Sequence, residues 1–142
     1  MVVYFFDSSA LVKRYMDEPG SEWVRQILAE FPFAAIAEIT LVEVVAALAR
    51  RWRMGEITIE EYRFTRGVFL KDVRWYQVFP TSQSTVERAI ALIDHHPLRA
   101  YDALQLATAL QLADALRSER LSLTFVSADE RLCAAAEQEG LP

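Results

Sequence analysis

The sequence is poor in cysteine, has no long apolar run and carries no excess of positive charge. Its 142 residues include one cysteine, Cys133, which cannot form an internal disulfide and fits a reducing compartment. No apolar stretch approaches the roughly 18 to 20 residues needed to cross a bilayer. The N-terminal run from Met1 to Phe6 lacks a basic leader and is too short for the apolar core of a signal peptide. We therefore expect a cytoplasmic protein without a membrane span.

The formal net charge of −5 also limits the classes of partner. Broad, sequence-independent binding to nucleic acid needs a large excess of Lys and Arg, because these residues neutralise phosphates. A local basic patch stays compatible with the composition. Part of the negative charge can also lie in a site that binds a cation, in which case the outer surface is less acidic than the sum indicates.

Apolar runs rich in β-branched and aromatic residues alternate with segments of helical periodicity. A hydrophobic fraction of 53% is enough for a buried core, so we predict a single domain over residues 1–142. The predicted strands are residues 2–6, 33–37, 75–79 and 123–126. The predicted helices are residues 8–16, 21–31, 40–54, 58–73, 84–95, 99–116 and 130–139. This alternation predicts a three-layer α/β domain, in which helices flank a central parallel sheet of four strands.

Four acidic residues stand where such a fold binds ligands. Asp7 and Asp129 come just after the first and last predicted strands, and Glu43 and Asp102 lie in the first turns of two helices. In an open parallel sheet the carboxyl ends of the strands share one rim, so the four side chains can converge there. Because clustered carboxylates repel one another, a divalent cation is needed to keep them ionised. Oxygen ligands without a His or Cys cluster favour Mg²⁺ or Mn²⁺.

Each acid also has a purely structural interpretation. Asp7 and Asp129 can cap helix N-termini, and Asp102 in a first turn is favourable to the helix dipole. Thr40-x-x-Glu43 has the form of a capping box. Taken singly, each acid is as easily explained by helix initiation as by function, and the joint pattern is what favours a site.

Four segments carry a resemblance to a known family. The segments FDSSALVKRY (6–15), TLVEV (40–44), LRAYDALQLA (98–107) and VSAD (126–129) resemble, in this order, the four motifs of PIN-domain ribonucleases. The similarity is strongest to VapC toxins of type II toxin–antitoxin systems, and it covers nearly the whole chain. The first and third segments are specific as strings, whereas the second and fourth gain weight from order and spacing.

The resemblance implies a fold, an activity and partners. It implies a PIN-like domain in which Asp7, Glu43, Asp102 and Asp129 are catalytic and surround Mg²⁺ or Mn²⁺, with Asp7 and Asp102 as the safest ligands. The implied reaction is hydrolysis of RNA phosphodiesters by a metal-activated water. The implied partners are a second copy of the chain and a cognate VapB-type antitoxin whose peptide crosses the site. The family often adds a fifth strand after the last helix, which is expected here to be missing or rudimentary because the chain stops at Pro142.

Basic residues near the acids are candidate contacts for RNA. Lys13 and Arg14 follow Asp7 by about two helical turns, and Arg99 precedes Asp102. We predict contact with RNA for these three residues and for Ser127. A solvated helix face or simple neutralisation of the acids explains the basic residues equally well. The cluster at residues 50–53 can likewise complement a helix dipole, bind RNA or bind an acidic partner.

Two other functional classes are alternatives to the nuclease. A catalytically silent PIN-like module that binds RNA or protein is the first, and the presence of all four acids speaks against it. A receiver-type signalling domain is the second. That fold needs an adjacent acidic pair after its first strand, whereas here Ser8 and Ser9 follow Asp7.

Overall fold

The computed structural model describes all residues, 1–142. Its strands are β1 (Val2–Phe6), β2 (Ala35–Ala37), β3 (Gln77–Phe79) and β4 (Ser122–Val126). Its helices are α1 (Ser8–Leu11), α2 (Ser21–Glu30), α3 (Ile39–Arg53), α4 (Ile59–Asp72), α5 (Gln83–His95), α6 (Ala100–Ser118) and α7 (Glu130–Gln138). Short 3₁₀ turns cover Val12–Arg14 and Val73–Trp75. The predicted alternation of four strands with seven helices is confirmed.

The four strands form one parallel sheet in the order β3-β2-β1-β4. The chain moves from β1 to β2 and β3 on one side and returns to place β4 on the other side of β1. The order of the strands therefore reverses between β1 and β4, which is where open α/β sheets bind ligands. Five residue pairs join these two strands, from Val2 beside Ser122 to Phe6 beside Val126. The backbone N–H of Asp7 continues the ladder by donating to the Val126 carbonyl oxygen at 3.1 Å.

Consecutive residues of β1 reach opposite faces of the sheet. Phe5 packs in a cluster with α5, α6 and α7, where its ring stacks on Phe125 with centroids 5.8 Å apart. Phe6 packs in a second cluster with α1, α2, α3 and α4. Both rings are fully buried, and each contributes roughly 1.5–3 kcal/mol to folding. Helices thus cover both faces, and the predicted three-layer architecture is confirmed.

The longest helix, α6, carries two polar residues into the site. Most of its buried positions are small or aliphatic, including Ala103, Leu106 and Ala107. Alanine has the highest helix propensity, and its small side chain lets a helix lie close against a neighbour. This packing fixes the N-terminal turns of α6, which hold Asp102 and Gln105, against the carboxyl end of the sheet.

Three segments differ from the prediction. The helix after Asp7 is shorter than residues 8–16, because α1 tightens into the 3₁₀ turn in which the Tyr15 N–H donates to the Val12 carbonyl oxygen at 2.9 Å. The third strand begins at Gln77 because residues 73–75 form the second 3₁₀ turn. The sheet has four strands and no fifth. The backbone N–H of Phe125 instead donates to the Pro142 carbonyl oxygen at 3.1 Å, so the C-terminus touches the β4 edge without forming a strand.

None of the helices combines the length and apolar character needed to cross a membrane.

Candidate functional site

The four predicted acids line one cavity at the point where the strand order reverses. The cavity has a volume of about 300 Å³. Its walls come from the ends of β1 and β4, the first turns of α1 and α6, and the second and third turns of α3. The lining residues are Asp7, Ser8, Ser9, Glu43, Ala47, Arg99, Tyr101, Asp102 and Asp129. The four acids therefore lie on one rim of the sheet, as predicted.

Asp7 is the most buried of the acids, with 3% of its surface exposed. Its Oδ1 accepts hydrogen bonds from Ser9 Oγ at 2.7 Å and from the Ala10 N–H at 2.9 Å. Its Oδ2 accepts from Ser127 Oγ at 2.6 Å. Burial raises the pKa of Asp7 from 3.8 to about 6; the three hydrogen bonds oppose this rise, and the charge of Asp102 adds to it. All three donors are neutral, so this carboxylate has no positive partner in direct contact.

Glu43 is held by a residue from another helix. Gln105 Nε2, on α6, donates to Glu43 Oε1 at 2.9 Å and to Thr40 Oγ1 at 2.7 Å. The capping box proposed for Thr40 and Glu43 is wrong. Helix α3 already begins at Ile39 after a helical Glu38, so Thr40 lies inside the first turn and its buried hydroxyl contacts α6.

Asp102 and Asp129 both form ion pairs with the guanidinium group of Arg99. Arg99 Nε lies 3.5 Å from Asp102 Oδ2, and Arg99 Nη2 lies 3.8 Å from Asp129 Oδ2. Burial raises the pKa of Asp102, the nearby Asp129 raises it further, and Arg99 partly offsets both effects. Because Arg99 is 85% exposed, solvent weakens both ion pairs.

Two of the acids also cap helices, as the structural interpretation predicted. Asp129 Oδ1 accepts from the N–H groups of Arg131 and Leu132 at 2.9 and 3.2 Å, and so caps α7. Asp7 caps α1 through the Ala10 N–H. Capping engages Oδ1 in both residues. It leaves Asp129 Oδ2 facing Arg99 and the cavity, whereas Asp7 Oδ2 faces Ser127.

Of the four residues predicted to contact RNA, two lie at the cavity and two lie away from it. Arg99 lines the cavity, and Ser127 lies beside it through its bond to Asp7. Lys13 and Arg14 do not line the cavity. Lys13 is 15% exposed and pairs with Glu18 at 3.2 Å, and Arg14 pairs with Asp72 at 3.4 Å.

Sequence reasoning missed four residues of the site, Ser9, Thr40, Tyr101 and Gln105. Gln105 was detectable, because it is a polar residue in the otherwise apolar run of α6 and stands three residues after Asp102, on the same helix face. Ser9 was detectable as a hydroxyl two residues after Asp7, a spacing at which such side chains commonly bond. The contacts of Thr40 and the exposure of Tyr101 depend on tertiary packing and carried no local signal.

The donor set of the cavity has the chemistry of a divalent-cation site. It consists of carboxylate oxygens with adjacent hydroxyls, which suits a hard divalent cation such as Mg²⁺ or Mn²⁺. The pKa of the Asp7 carboxyl is raised mainly by burial, and the nearby charge of Asp102 adds to the rise. As the side chains stand, no group of three or more His, Cys, Asp or Glu residues forms a ready-made metal site. The chemistry fits, while the acids line the cavity walls and do not surround a single point.

Two larger cavities adjoin the acidic one. A cavity of about 550 Å³ shares Arg99, Asp102 and Asp129 with it and extends to Arg131. A groove of about 610 Å³ shares Glu43, Ala47 and Tyr101 and extends along α3 to Arg50. The acidic cavity thus shares wall residues with two neighbouring cavities, one lined by Arg131 and the other by Arg50.

Comparison with known proteins gives a family match and several structural neighbours. The PIN domain family model matches residues 4–138. VapC20 of Mycobacterium tuberculosis, a sarcin-ricin loop cleaving toxin, superposes with a TM-score of 0.65 at 16% identity, covering 93% of this chain and 94% of that chain. FitAcB of Neisseria gonorrhoeae gives a TM-score of 0.65 at 12% identity, with coverage of 95% and 94%. A toxin–antitoxin complex of Klebsiella pneumoniae gives 0.56 at 21% identity, with coverage of 85% and 83%.

At these identities the structural neighbours establish the shared fold. The comparison with curated proteins gives no match.

Proposed function

Because the chain belongs to the PIN-domain family, we propose that it is an endoribonuclease dependent on Mg²⁺ or Mn²⁺ and acts as the toxin of a toxin–antitoxin pair. The convergence of four acids on one cavity carries the proposal. Carboxylates that are gathered in one cavity repel one another, and the single arginine there cannot neutralise all four. A bound divalent cation would offset this repulsion.

Asp7 and Asp102 are proposed as the direct metal ligands, and Glu43 and Asp129 as the acids that complete the set. A bound Mg²⁺ or Mn²⁺ supplies a Lewis acid that stabilises charge on the phosphate and lowers the pKa of water. Ser9 and Ser127 hold the Asp7 carboxylate in one orientation through their hydroxyls. A cavity carboxylate that does not bind the metal can accept the proton of the attacking water.

Arg99 is the proposed phosphate contact at the site. Its guanidinium is exposed and pairs only loosely with Asp102 and Asp129, so it can exchange these partners for the RNA backbone. Lys13 and Arg14 would have to leave Glu18 and Asp72 to do the same. We therefore propose Arg99 before Lys13 and Arg14 as the contact for RNA. The hydroxyl of Ser127 orients Asp7, and we propose that it also borders the bound RNA.

The three adjoining cavities suit a single-stranded substrate. Arg131 lines one neighbour of the acidic cavity and Arg50 lines the other, so both can contact phosphates that flank the acidic cavity. Tyr101 lines the acidic cavity and is 62% exposed. An exposed aromatic ring beside a cleavage site is suited to stacking an unpaired base.

The toxin role is supported by the structural neighbours. VapC20 is named as a toxin that cleaves the sarcin-ricin loop, and another neighbour is a toxin–antitoxin complex. On this basis we propose a VapB-type antitoxin as a partner, a homodimer as the assembled form and the cytoplasm as the compartment. Light scattering tests the homodimer. Co-expression with the product of a short open reading frame found beside this gene tests the antitoxin complex, and the absence of such a reading frame would count against the toxin role.

Cleavage of total cellular RNA by the purified protein tests the activity. We expect discrete fragments with Mg²⁺ or Mn²⁺, and none with EDTA or in the Asp7→Asn and Asp102→Asn variants. Asp114→Asn is the matched control, because Asp114 lies on the same helix about 18 Å further along and pairs with Arg88 outside the cavity. It should cleave like the wild type. Intact RNA from folded wild-type protein free of antitoxin would favour the catalytically silent binding module.

A further inference from the structure

We propose that Gln105 is a positioning residue for the reaction, which holds Glu43 so that one carboxylate oxygen is turned to the metal side of the cavity. The inference rests on the proposed function. Gln105 is not one of the four acidic residues of the cavity.

The geometry of Gln105 leaves its amide group no alternative arrangement. Its two amide hydrogens have two acceptors, Glu43 Oε1 at 2.9 Å and Thr40 Oγ1 at 2.7 Å. Because a carboxylate accepts and does not donate, the nitrogen must face Glu43. Gln105 is 1% exposed, and its neighbours on α6 are closely packed, so it has little room to move. The hydrogen bond from Gln105 Nε2 therefore holds Glu43 Oε1 against α6.

The other end of the same side chain is unsatisfied. Gln105 Oε1 is buried and has no hydrogen-bond partner. An unpaired buried carbonyl destabilises a fold, and an apolar residue at this position would avoid the loss. A residue that lowers stability while orienting a site acid is explained better by function than by packing.

The kind of donor also matters. Gln105 and Thr40 are both neutral, so they hold Glu43 without cancelling its charge. A Lys or Arg at position 105 would orient the carboxylate equally well and would also neutralise it, which would weaken its attraction for a cation. Outer groups of this kind typically change metal affinity or activity by roughly 10- to 100-fold when removed.

The test compares Gln105→Met with the wild type and with Gln111→Met. Methionine keeps the unbranched shape of glutamine and removes the amide. Gln111 is the matched control, because it lies on the same helix and bonds Ser84 and Thr85 away from the cavity. Three quantities are measured for each protein: the Kd for Mn²⁺, kcat and KM for RNA cleavage, and Tm in EDTA.

We expect Gln105→Met to raise the Mn²⁺ Kd by roughly 10-fold or more and to lower kcat at nearly constant KM. Its Tm should stay close to that of the wild type, because the removal of the unpaired carbonyl offsets the loss of the two hydrogen bonds to Glu43 and Thr40. Gln111→Met should leave the Kd, kcat and KM unchanged. In a Glu43→Gln background, Gln105→Met should change the Mn²⁺ Kd little further, since it acts through Glu43.

The outcomes separate this inference from the proposed function. A wild type that binds Mn²⁺ and cleaves RNA, with a Gln105→Met variant that does both equally well, overturns the role of Gln105 and leaves the nuclease intact. A Gln105→Met protein that fails to fold also overturns it. So does a Gln105→Met change that raises the Mn²⁺ Kd by the same factor in the Glu43→Gln background as in the wild type, because the effect would then not act through Glu43. A wild type that neither binds Mn²⁺ nor cleaves RNA overturns the proposed function, and the inference with it.

Discussion

Removing the charge of Asp7 should make the metal-free protein more stable at neutral pH. Burial raises the pKa of this carboxyl from 3.8 to about 6, and each pH unit corresponds to about 1.4 kcal/mol. Asp7 therefore destabilises the metal-free fold by roughly 3 kcal/mol when it is ionised. Asparagine keeps the shape and can still accept the bonds of Ser9 and Ala10 to Oδ1. For a chain of this length, roughly 3 kcal/mol corresponds to a Tm about 10 °C higher.

The pH dependence has a definite sign. The folded pKa lies above the unfolded one, so the protonated form of Asp7 stabilises the fold fully below about pH 4. That contribution is lost as the pH rises through about 6. The wild type should therefore lose stability relative to Asp7→Asn between about pH 4 and 6, with a constant difference at higher pH. Taking the difference in unfolding free energy between the two proteins removes the contribution of all other titrating groups, because both proteins have them.

Thermal unfolding in EDTA from pH 4 to 8, followed by circular dichroism, measures this difference. Saturating Mn²⁺ should reverse the order at pH 7.5, because only the wild type gains binding free energy. Parallel pH curves for the two proteins would refute the reasoning, since they would mean that Asp7 is not desolvated as its 3% exposure indicates. A less stable Asp7→Asn at every pH would mean that its hydrogen bonds outweigh its burial.

Three further predictions concern other residues of the cavity. Asp129→Asn should abolish cleavage while keeping the cap of α7 and the Tm, whereas Asp129→Ala should also lose about 1 kcal/mol of stability; unfolding curves and the RNA assay separate the two effects. Arg99→Ala should raise the pKa of Asp102 further, so that Mn²⁺ titrations show affinity failing at a higher pH than in the wild type. An unchanged pH profile would contradict that. Tyr101→Leu should raise KM for RNA roughly tenfold through lost stacking with kcat little changed, and an unaltered KM would exclude a bound base at this ring.

The parts of the site that the sequence predicts are those fixed by the end of a strand or the start of a helix. Asp7 follows β1 directly, and parallel strands place their carboxyl ends on one rim, so its position followed from local pattern. The same holds for Asp129 after β4 and for Asp102 at the start of a long Ala-rich helix. These positions depend on the location of an element end and on little else.

The parts that were missed depend on contacts between distant segments. Thr40 and Glu43 have the spacing of a capping box, but Glu38 adopts a helical backbone and the helix starts too early for Thr40 to cap it. Gln105 meets Glu43 across 62 positions of sequence, and no local pattern encodes that contact. Lys13 lies near Asp7 in sequence, yet it turns to Glu18 because the chain tightens into a 3₁₀ turn after Leu11.

The structural and functional interpretations of the acids are compatible, because a carboxylate has two oxygens. Asp129 uses Oδ1 to cap α7 and keeps Oδ2 towards the cavity. Glu43 accepts the bond from Gln105 with Oε1, which leaves Oε2 free for another partner. Scaffold bonds of this kind set the orientation of each acid before any cation binds, which reduces the freedom that binding must remove. A capping signature in the sequence is therefore no argument against a metal ligand.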